Sequence, residues 1–133
     1  MSKISRRQFL TASAASCVAM SASGEAAMSD KPQLIHTVYF WLKNPDSQAD
    51  RDQLVNGLRS LKGIPGINKM HIGLPANTEK RDVVDNSFQV FELMYFDDLA
   101  AQSAYQAHPT HLAFVESCSH LWEKVVVHDA ITV

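Results

Sequence analysis

The 133-residue chain has little cysteine, and its basic residues do not outnumber its acidic ones. Two cysteines, Cys17 and Cys118, are too few for a disulfide framework. The 12 Lys and Arg stand against 14 Asp and Glu, and no basic stretch follows the first few residues, which argues against nucleic-acid binding. No run of about 20 strongly apolar residues occurs, so we expect no permanent membrane span.

Several motifs that carry chemistry are also missing from the sequence. It contains no glycine-rich phosphate loop, no nucleophile elbow and no paired-carboxylate signature, and we therefore expect no cofactor. The composition is otherwise that of an ordinary globular protein, with 46% hydrophobic and 20% charged residues. The length is suited to a single domain.

The N-terminal segment has the pattern of an export signal. Ser5-Arg6-Arg7-Gln8-Phe9-Leu10 resembles the twin-arginine motif, and the following run to about Ala22 is apolar but dilute. The resemblance implies a signal peptide over 1–28, a mature domain over 29–133, and export to the periplasm or cell envelope of a bacterium. Two alternatives remain open, namely lipid modification of Cys17 and a native N-terminal helix of the domain.

The rest of the chain is predicted to alternate between strands and helices. Apolar, β-branched runs predict strands, and apolar residues at helical spacing behind a capping residue predict helices. Pro109 is expected to break the second helix and begin another. The predicted elements are strands at 34–42, 67–74, 88–96 and 125–131 and helices at 47–62, 97–108 and 109–122.

This order, β-α-β-β-α-β, predicts an α+β, ferredoxin-like fold with a four-stranded antiparallel sheet and helices on one face. The predicted strands are apolar on both faces, so the face without helices needs a cover. A second copy of the chain supplies that cover with one self-complementary patch. We therefore expect a homodimer that closes a dimeric α/β barrel.

Several segments together resemble the stress-responsive α/β-barrel (Dabb) family. They are His36 in the first strand, Ile64-Pro65-Gly66-Ile67 after the first helix, Gly73, and Tyr105-x-x-His108-Pro109-x-His111. The resemblance covers about 33–131 and implies a dimeric α+β barrel without implying one activity.

The resemblance also suggests roles for individual residues. In a plant polyketide cyclase similar to this chain, the tyrosine and last histidine of the same segment are the catalytic pair, which implies catalytic roles for Tyr105 and His111. The first-strand histidine of that enzyme matches His36. Its third-strand cavity histidine falls near Val90, and its second-strand cavity tyrosine falls near His71, so the chain departs from that enzyme at two positions.

Helical spacing supports an inward position for His111, because it shares an apolar face with Phe114 and Cys118. A neutral histidine with a pKa near 6.5 can accept or donate a proton at working pH, and Tyr105 can donate a hydrogen bond to an enolate oxygen. The alternative is a His–Tyr hydrogen bond that only orders the helix break.

Three further histidines, His36, His71 and His108, are candidate substrate-binding residues. Two of them also have a structural interpretation: His36 as a satisfied core histidine, and His108 as a partner of backbone groups beside Pro109. A metal site of His36, His108 and His111 is a less favoured alternative.

Glu92 lies in an apolar strand, where it is expected either at the dimer seam or beside a pocket histidine.

We therefore expect an exported homodimer with a mostly apolar cavity between sheet and helices, its mouth covered by 76–86. It is expected to bind a small apolar carbonyl or phenolic compound, with cofactor-free, cyclase- or isomerase-like acid–base chemistry. Whether the protein is an enzyme stays open, and the alternative is a non-catalytic stress-response or envelope dimer with structural histidines. A cavity of about 300 Å³ or more reaching Tyr105 and His111 favours the first.

Overall fold

The computed structural model describes residues 31–133, so the signal peptide predicted for 1–28 lies outside the described residues. The predicted element order is confirmed. The elements are β1 (Leu34–Leu42), α1 (Gln48–Arg59), β2 (Ile67–Gly73), β3 (Val90–Phe96), α2 (Leu99–Ala107), α3 (Pro109–Cys118) and β4 (Trp122–Ile131). Across this described part, no helix is both long enough and apolar enough to span a bilayer.

The sheet is antiparallel, with strand order β2-β3-β1-β4, and it confirms the ferredoxin-like fold. Burial alternates strictly along β1 and along β3, because successive side chains point to opposite faces of a sheet. The buried set packs beneath the helices. The opposite side, here called the open face, carries half-buried, mostly apolar side chains: Ile35, Thr37, Tyr39, Trp41, Phe91, Leu93, Tyr95 and Val126.

Local capping explains where the helices begin. The Ser47 hydroxyl accepts a hydrogen bond from the Asp50 amide at 3.2 Å, and the Asp98 carboxylate accepts one from the Ala101 amide at 2.8 Å. His108 ends α2 in an extended conformation and serves as the N-cap of α3, with Pro109 in its first turn. The predicted break at Pro109 is therefore present.

Three element ends differ from the sequence prediction by three residues or more. Helix α1 ends at Arg59 and α3 at Cys118, because each passes into a short 3₁₀ turn that completes the predicted span. Strand β4 begins at Trp122, three residues earlier than predicted, because Trp122 pairs with Leu42 at the far end of β1.

The core lies between the helices and the sheet. Leu54 and Leu58 of α1 and Phe114 of α3 are among its buried residues. Gly57 lies where α1 meets α3, and a Cβ atom there would stand 2.6 Å from the sulfur of Cys118. The glycine thus permits the close approach of the two helices, which encloses the space beneath α2 and α3.

Candidate functional site

A cavity of about 120 Å³ lies between the sheet and helices α2 and α3. It reaches both Tyr105 and His111, but it is smaller than the expected 300 Å³ or more. For scale, a cavity of about 150 Å³ can hold benzene. The wall formed by β4 is open, because Val125 and Val127 are 36% and 47% exposed. The lining residues are His36, Val38, Phe40, Glu92, Tyr105, Gln106, His111, Phe114, Val115, Trp122, Val125 and Val127.

His111 lies in the first turn of α3, and its ring is fixed by the end of α2. Its Nδ1 donates a hydrogen bond to the backbone carbonyl of Gln106 at 3.0 Å. Because a carbonyl oxygen only accepts, Nδ1 carries the hydrogen and Nε2 keeps the lone pair of the neutral ring. Burial lowers the pKa of His111; the bond to Gln106 opposes this effect, and the nearby charge of His36 adds to it. The ring is thus favoured in its neutral, basic form.

His36 is held in the same tautomer by a different acceptor. It is 3% exposed on β1, and its Nδ1 donates to the Asp129 carboxylate, directly across on β4, at 2.6 Å. The half-exposed Asp129 carboxylate orients the buried imidazole, and Nε2 lies on the opposite edge of the ring. Two imidazoles that each donate from Nδ1 to a protein acceptor therefore line one pocket.

Tyr105 and Glu92 form a buried pair between α2 and β3. The Tyr105 hydroxyl donates to the Glu92 carboxylate at 3.4 Å, and the two residues are 2% and 1% exposed. Burial raises the pKa of Glu92 to about 7, and the hydrogen bond from Tyr105 partly opposes that rise. Burial also raises the pKa of Tyr105 above its ordinary value, and the charge of Glu92 adds to the effect. Tyr105 is therefore a proton-bearing donor at neutral pH.

The polar groups are close together, and the remaining walls are apolar. The Tyr105 ring centroid is 4.7 Å from that of His111 and 5.9 Å from that of His36. Trp122 packs against Phe40 at 5.2 Å and Phe114 at 5.9 Å, which closes the other side with aromatic surface. The arrangement offers two imidazole rings, one phenolic donor and one carboxyl group to a small molecule.

Two predicted binding residues lie outside this cavity. His71 is exposed on β2, and it pairs with Leu93, whose side chain is on the open face. The Nδ1 of His108 accepts a hydrogen bond from the Thr110 amide at 3.1 Å, so its role is the structural one of a helix cap. Segment 76–86, expected to cover the mouth, contributes no lining residue. The structure thus brings together Tyr105, His111 and His36.

The metal alternative finds no support in the geometry. Within residues 31–133, no three His, Cys, Asp or Glu side chains lie close enough together to hold a metal ion. His108 turns Nδ1 to the α3 backbone, and His36 and His111 use Nδ1 on protein acceptors.

Sequence reasoning missed Asp129 and left Glu92 undecided. Asp129 is separated from His36 by 93 positions, so only the β1–β4 register reveals the pair. Glu92 lies on the helix side of the sheet, not on the open face, and its partner is a tyrosine rather than a histidine. The period of two places Glu92 on the same side as Val90 and Met94, and the structure shows that this side faces the helices.

A larger groove of about 460 Å³ lies between α1 and β2, and it contains none of the candidate residues. Its apolar surface includes Val55, Met70 and Ile72, and the basic side chains Arg51 and Arg59 stand beside it. It offers no enclosed acid–base group, so the candidate acid–base groups are those of the smaller cavity.

Comparisons with known proteins agree with this architecture. The family model of the stress responsive A/B barrel domain matches residues 34–132. No curated protein sequence matches the chain. A Dabb family protein with a ferredoxin-like fold from Mesorhizobium loti is similar at 27% identity and a TM-score of 0.63, over 77% of this chain and 98% of that one.

Two further solved structures share the fold at lower identity. A dimeric ferredoxin-like protein of unknown function from Thermobifida fusca has 16% identity and a TM-score of 0.63, over 82% of this chain and 99% of its own. A hydroxynitrile lyase from Passiflora edulis has 24% identity and a TM-score of 0.64, over 76% of this chain and 94% of its own.

Proposed function

The chain belongs to the stress responsive A/B barrel domain family, and we propose that it binds a small, mostly apolar carbonyl or phenolic compound in the cavity beneath α2 and α3. The observation that carries the proposal is the grouping of His36, Tyr105 and His111 within otherwise apolar walls. Such pockets commonly orient a ligand with a few polar groups.

The same groups support cofactor-free acid–base chemistry on a carbonyl compound. In its neutral tautomer, His111 can use Nε2 to remove a proton from the carbon beside the carbonyl. The electrons move to the carbonyl oxygen, where the Tyr105 hydroxyl donates a hydrogen bond to the developing enolate. Return of this proton from His111 to a different carbon completes an isomerisation. If His111 first exchanges its proton with water, return to the same carbon completes an exchange with solvent.

The proposal draws on this pocket and not on the activity of any relative. A hydroxynitrile lyase has the same fold, but an identity of 24% indicates shared architecture alone. The alternative function is a non-catalytic stress-response or envelope dimer, in which the histidines only order the protein. The small cavity volume, about 120 Å³, is the observation that favours this alternative.

We expect the protein to accelerate deuterium exchange at the α-carbons of cyclopentanone, and His111→Ala to lower that rate at least about 100-fold, because it removes the base. Cyclopentanone is chosen as a small cyclic ketone because the cavity is small and its β4 wall is open. Proton NMR in D₂O measures the exchange. The matched control is His120→Ala, since His120 is exposed and does not line the pocket.

Exchange that persists in His111→Ala would contradict the role of this histidine. If the unmodified protein neither accelerates exchange nor binds the ketone, the pocket is not a carbonyl site and the structural alternative gains support.

A homodimer is the second part of the proposal. The open face presents Tyr39, Phe91 and Leu93 half-buried beside other apolar side chains, and burying such surface is favourable. Similar structures from Thermobifida fusca and Bacteroides fragilis are dimeric. A second copy covering this face would leave the cavity on the helix side of each sheet.

Export by the twin-arginine route is the third part, and it rests on Arg6 and Arg7 in the sequence. We expect the double substitution Arg6→Lys with Arg7→Lys to hold the precursor in the cytoplasm, although the charge is unchanged. Fractionation and immunoblotting measure this, with Lys3→Arg as the control outside the pair. Recovery of the double variant in the periplasm would rule out this route.

A further inference from the structure

Glu92 is an acidic side chain that the proposed chemistry leaves unused. It lies between buried Val90 and Met94 on β3, is 1% exposed and lines the cavity. An ionised carboxyl group in such a position is costly unless it is paired or protonated. Burial accordingly raises the pKa of Glu92 to about 7, so both protonation states occur near neutral pH.

The groups around Glu92 are mostly neutral. Tyr105 faces it from α2, and His111 and His36 line the same cavity from α3 and β1. Asp129 of β4 stands behind His36 as its hydrogen-bond partner. The neighbouring residue of β2 is Ile72, and α1 contributes buried leucines, Leu54 and Leu58. No lysine or arginine lines the cavity among residues 31–133, so no cation compensates for an ionised Glu92.

The hydrogen bond between Tyr105 and Glu92 can run in two directions. A carboxylate only accepts, so ionised Glu92 holds the hydrogen of the Tyr105 hydroxyl. A protonated carboxyl group can instead donate to the Tyr105 oxygen. The Tyr105 hydrogen is then available for another acceptor, such as the oxygen of a bound ligand.

Given the proposed function, we propose that Glu92 is a positioning residue that controls Tyr105: a proton on Glu92 turns the Tyr105 hydroxyl toward the ligand oxygen, and its loss turns the hydroxyl back. The ligand class is a neutral carbonyl compound, because a ligand carboxylate would meet an acidic group without a neighbouring cation. The proton stays on Glu92 during binding, and no bond to the ligand forms or breaks.

The test is the pH dependence of cyclopentanone affinity, measured by NMR titration between pH 5.5 and 8.5. In the unmodified protein we expect the affinity to weaken by about tenfold in all as pH rises through 7 and then to level off, because only protonated Glu92 leaves the Tyr105 donor free and the loss of one hydrogen bond is limited to about that factor. Glu92→Gln carries an amide that donates permanently, so its affinity stays nearly constant. Tyr105→Phe lacks the donor and binds weakly at every pH.

A ligand of the same shape without the ketone oxygen tests whether that oxygen is the group that responds to Glu92. Methylenecyclopentane has the same shape as cyclopentanone but no acceptor oxygen, so its affinity should not follow the titration of Glu92. If Glu92→Gln retains the pH dependence of the unmodified protein, another group such as His36 or His111 causes it and the proposal is overturned. If neither protein binds cyclopentanone at any pH, the proposed function falls and this inference falls with it.

A second measurement needs no substitution. With ¹³C-labelled glutamate, saturation with cyclopentanone should move the titration midpoint of the Glu92 carboxyl group to higher pH, because the ketone binds the protonated form better. Methylenecyclopentane should move it less. An unchanged midpoint at saturation with cyclopentanone would overturn the proposal even if Glu92→Gln failed to fold.

Discussion

Replacing Leu93 with aspartate will convert the dimer that we propose into a monomer. Leu93 is half-buried on β3 and lies on the open face, between Thr37 of β1 and His71 of β2. A two-fold interface contains the substituted residue of both protomers, and burying each unpaired carboxylate is unfavourable because it loses its hydration. A cost of about 3 kcal/mol or more weakens association at least about 100-fold, since each 1.4 kcal/mol is about tenfold.

Light scattering and sedimentation velocity at micromolar concentration measure this effect. The matched control is Leu99→Asp, because Leu99 is 66% exposed at the start of α2, away from the open face. Circular dichroism checks that both variants fold. A dimer that is unaffected by Leu93→Asp would show that the open face is not the interface, and the arrangement of two sheets face to face would have to be abandoned.

Local sequence signals were sufficient for most of the fold. The limits of β1, Leu34–Leu42, follow from one nearly continuous apolar run, and the helix starts follow from Ser47 and Asp98, which cap their own helices. The start of β4 could not be found in this way. Trp122 becomes part of a strand through its pairing with Leu42, and that pairing is distant in sequence.

The candidate site was predictable only where its residues are close in sequence. Tyr105 and His111 belong to one segment, so helical geometry brings them together. His71 shows how the strand pattern fails, because the β2–β3 register shifts between Ile67 and Lys69. Uninterrupted alternation from Ile67 would put His71 beneath the helices, but the irregularity reverses the faces and leaves it on the open side.

Glu92 could not be assigned for a different reason. Both faces of β3 are apolar, so alternation gives the period of the strand without saying which set faces the helices. The structure shows that Glu92 belongs to the set that faces the helices. It also explains the large shift in the pKa of Glu92. The raised pKa of Glu92 arises from the surrounding helices and strands together, which no short segment of the sequence contains.

The contribution of Glu92 to the stability of the protein will fall as pH rises from about 4.5 to about 7, and Glu92→Gln will remove that contribution. The pKa of Glu92 is raised from 4.5 to about 7 in the folded protein, mainly by burial. Between these values the folded state keeps a proton that the unfolded state has released, so raising the pH favours unfolding. The loss amounts to about 3 kcal/mol in the free energy of unfolding and levels off above pH 7.

Urea unfolding at pH 4.5, 6 and 8, at one protein concentration, measures the effect as the difference between Glu92→Gln and the unmodified protein. Taking this difference cancels the pH-dependent contributions of the histidines and of other groups that titrate in both proteins. The control is Glu116→Gln, an exposed residue of α3, whose difference should not change with pH. A Glu92→Gln difference that is also constant would mean that folding does not raise the pKa of Glu92, so that Glu92 is ionised at pH 6 and 8. Tyr105 would then be bound to a carboxylate at neutral pH, and its hydroxyl hydrogen would not be available to a ligand.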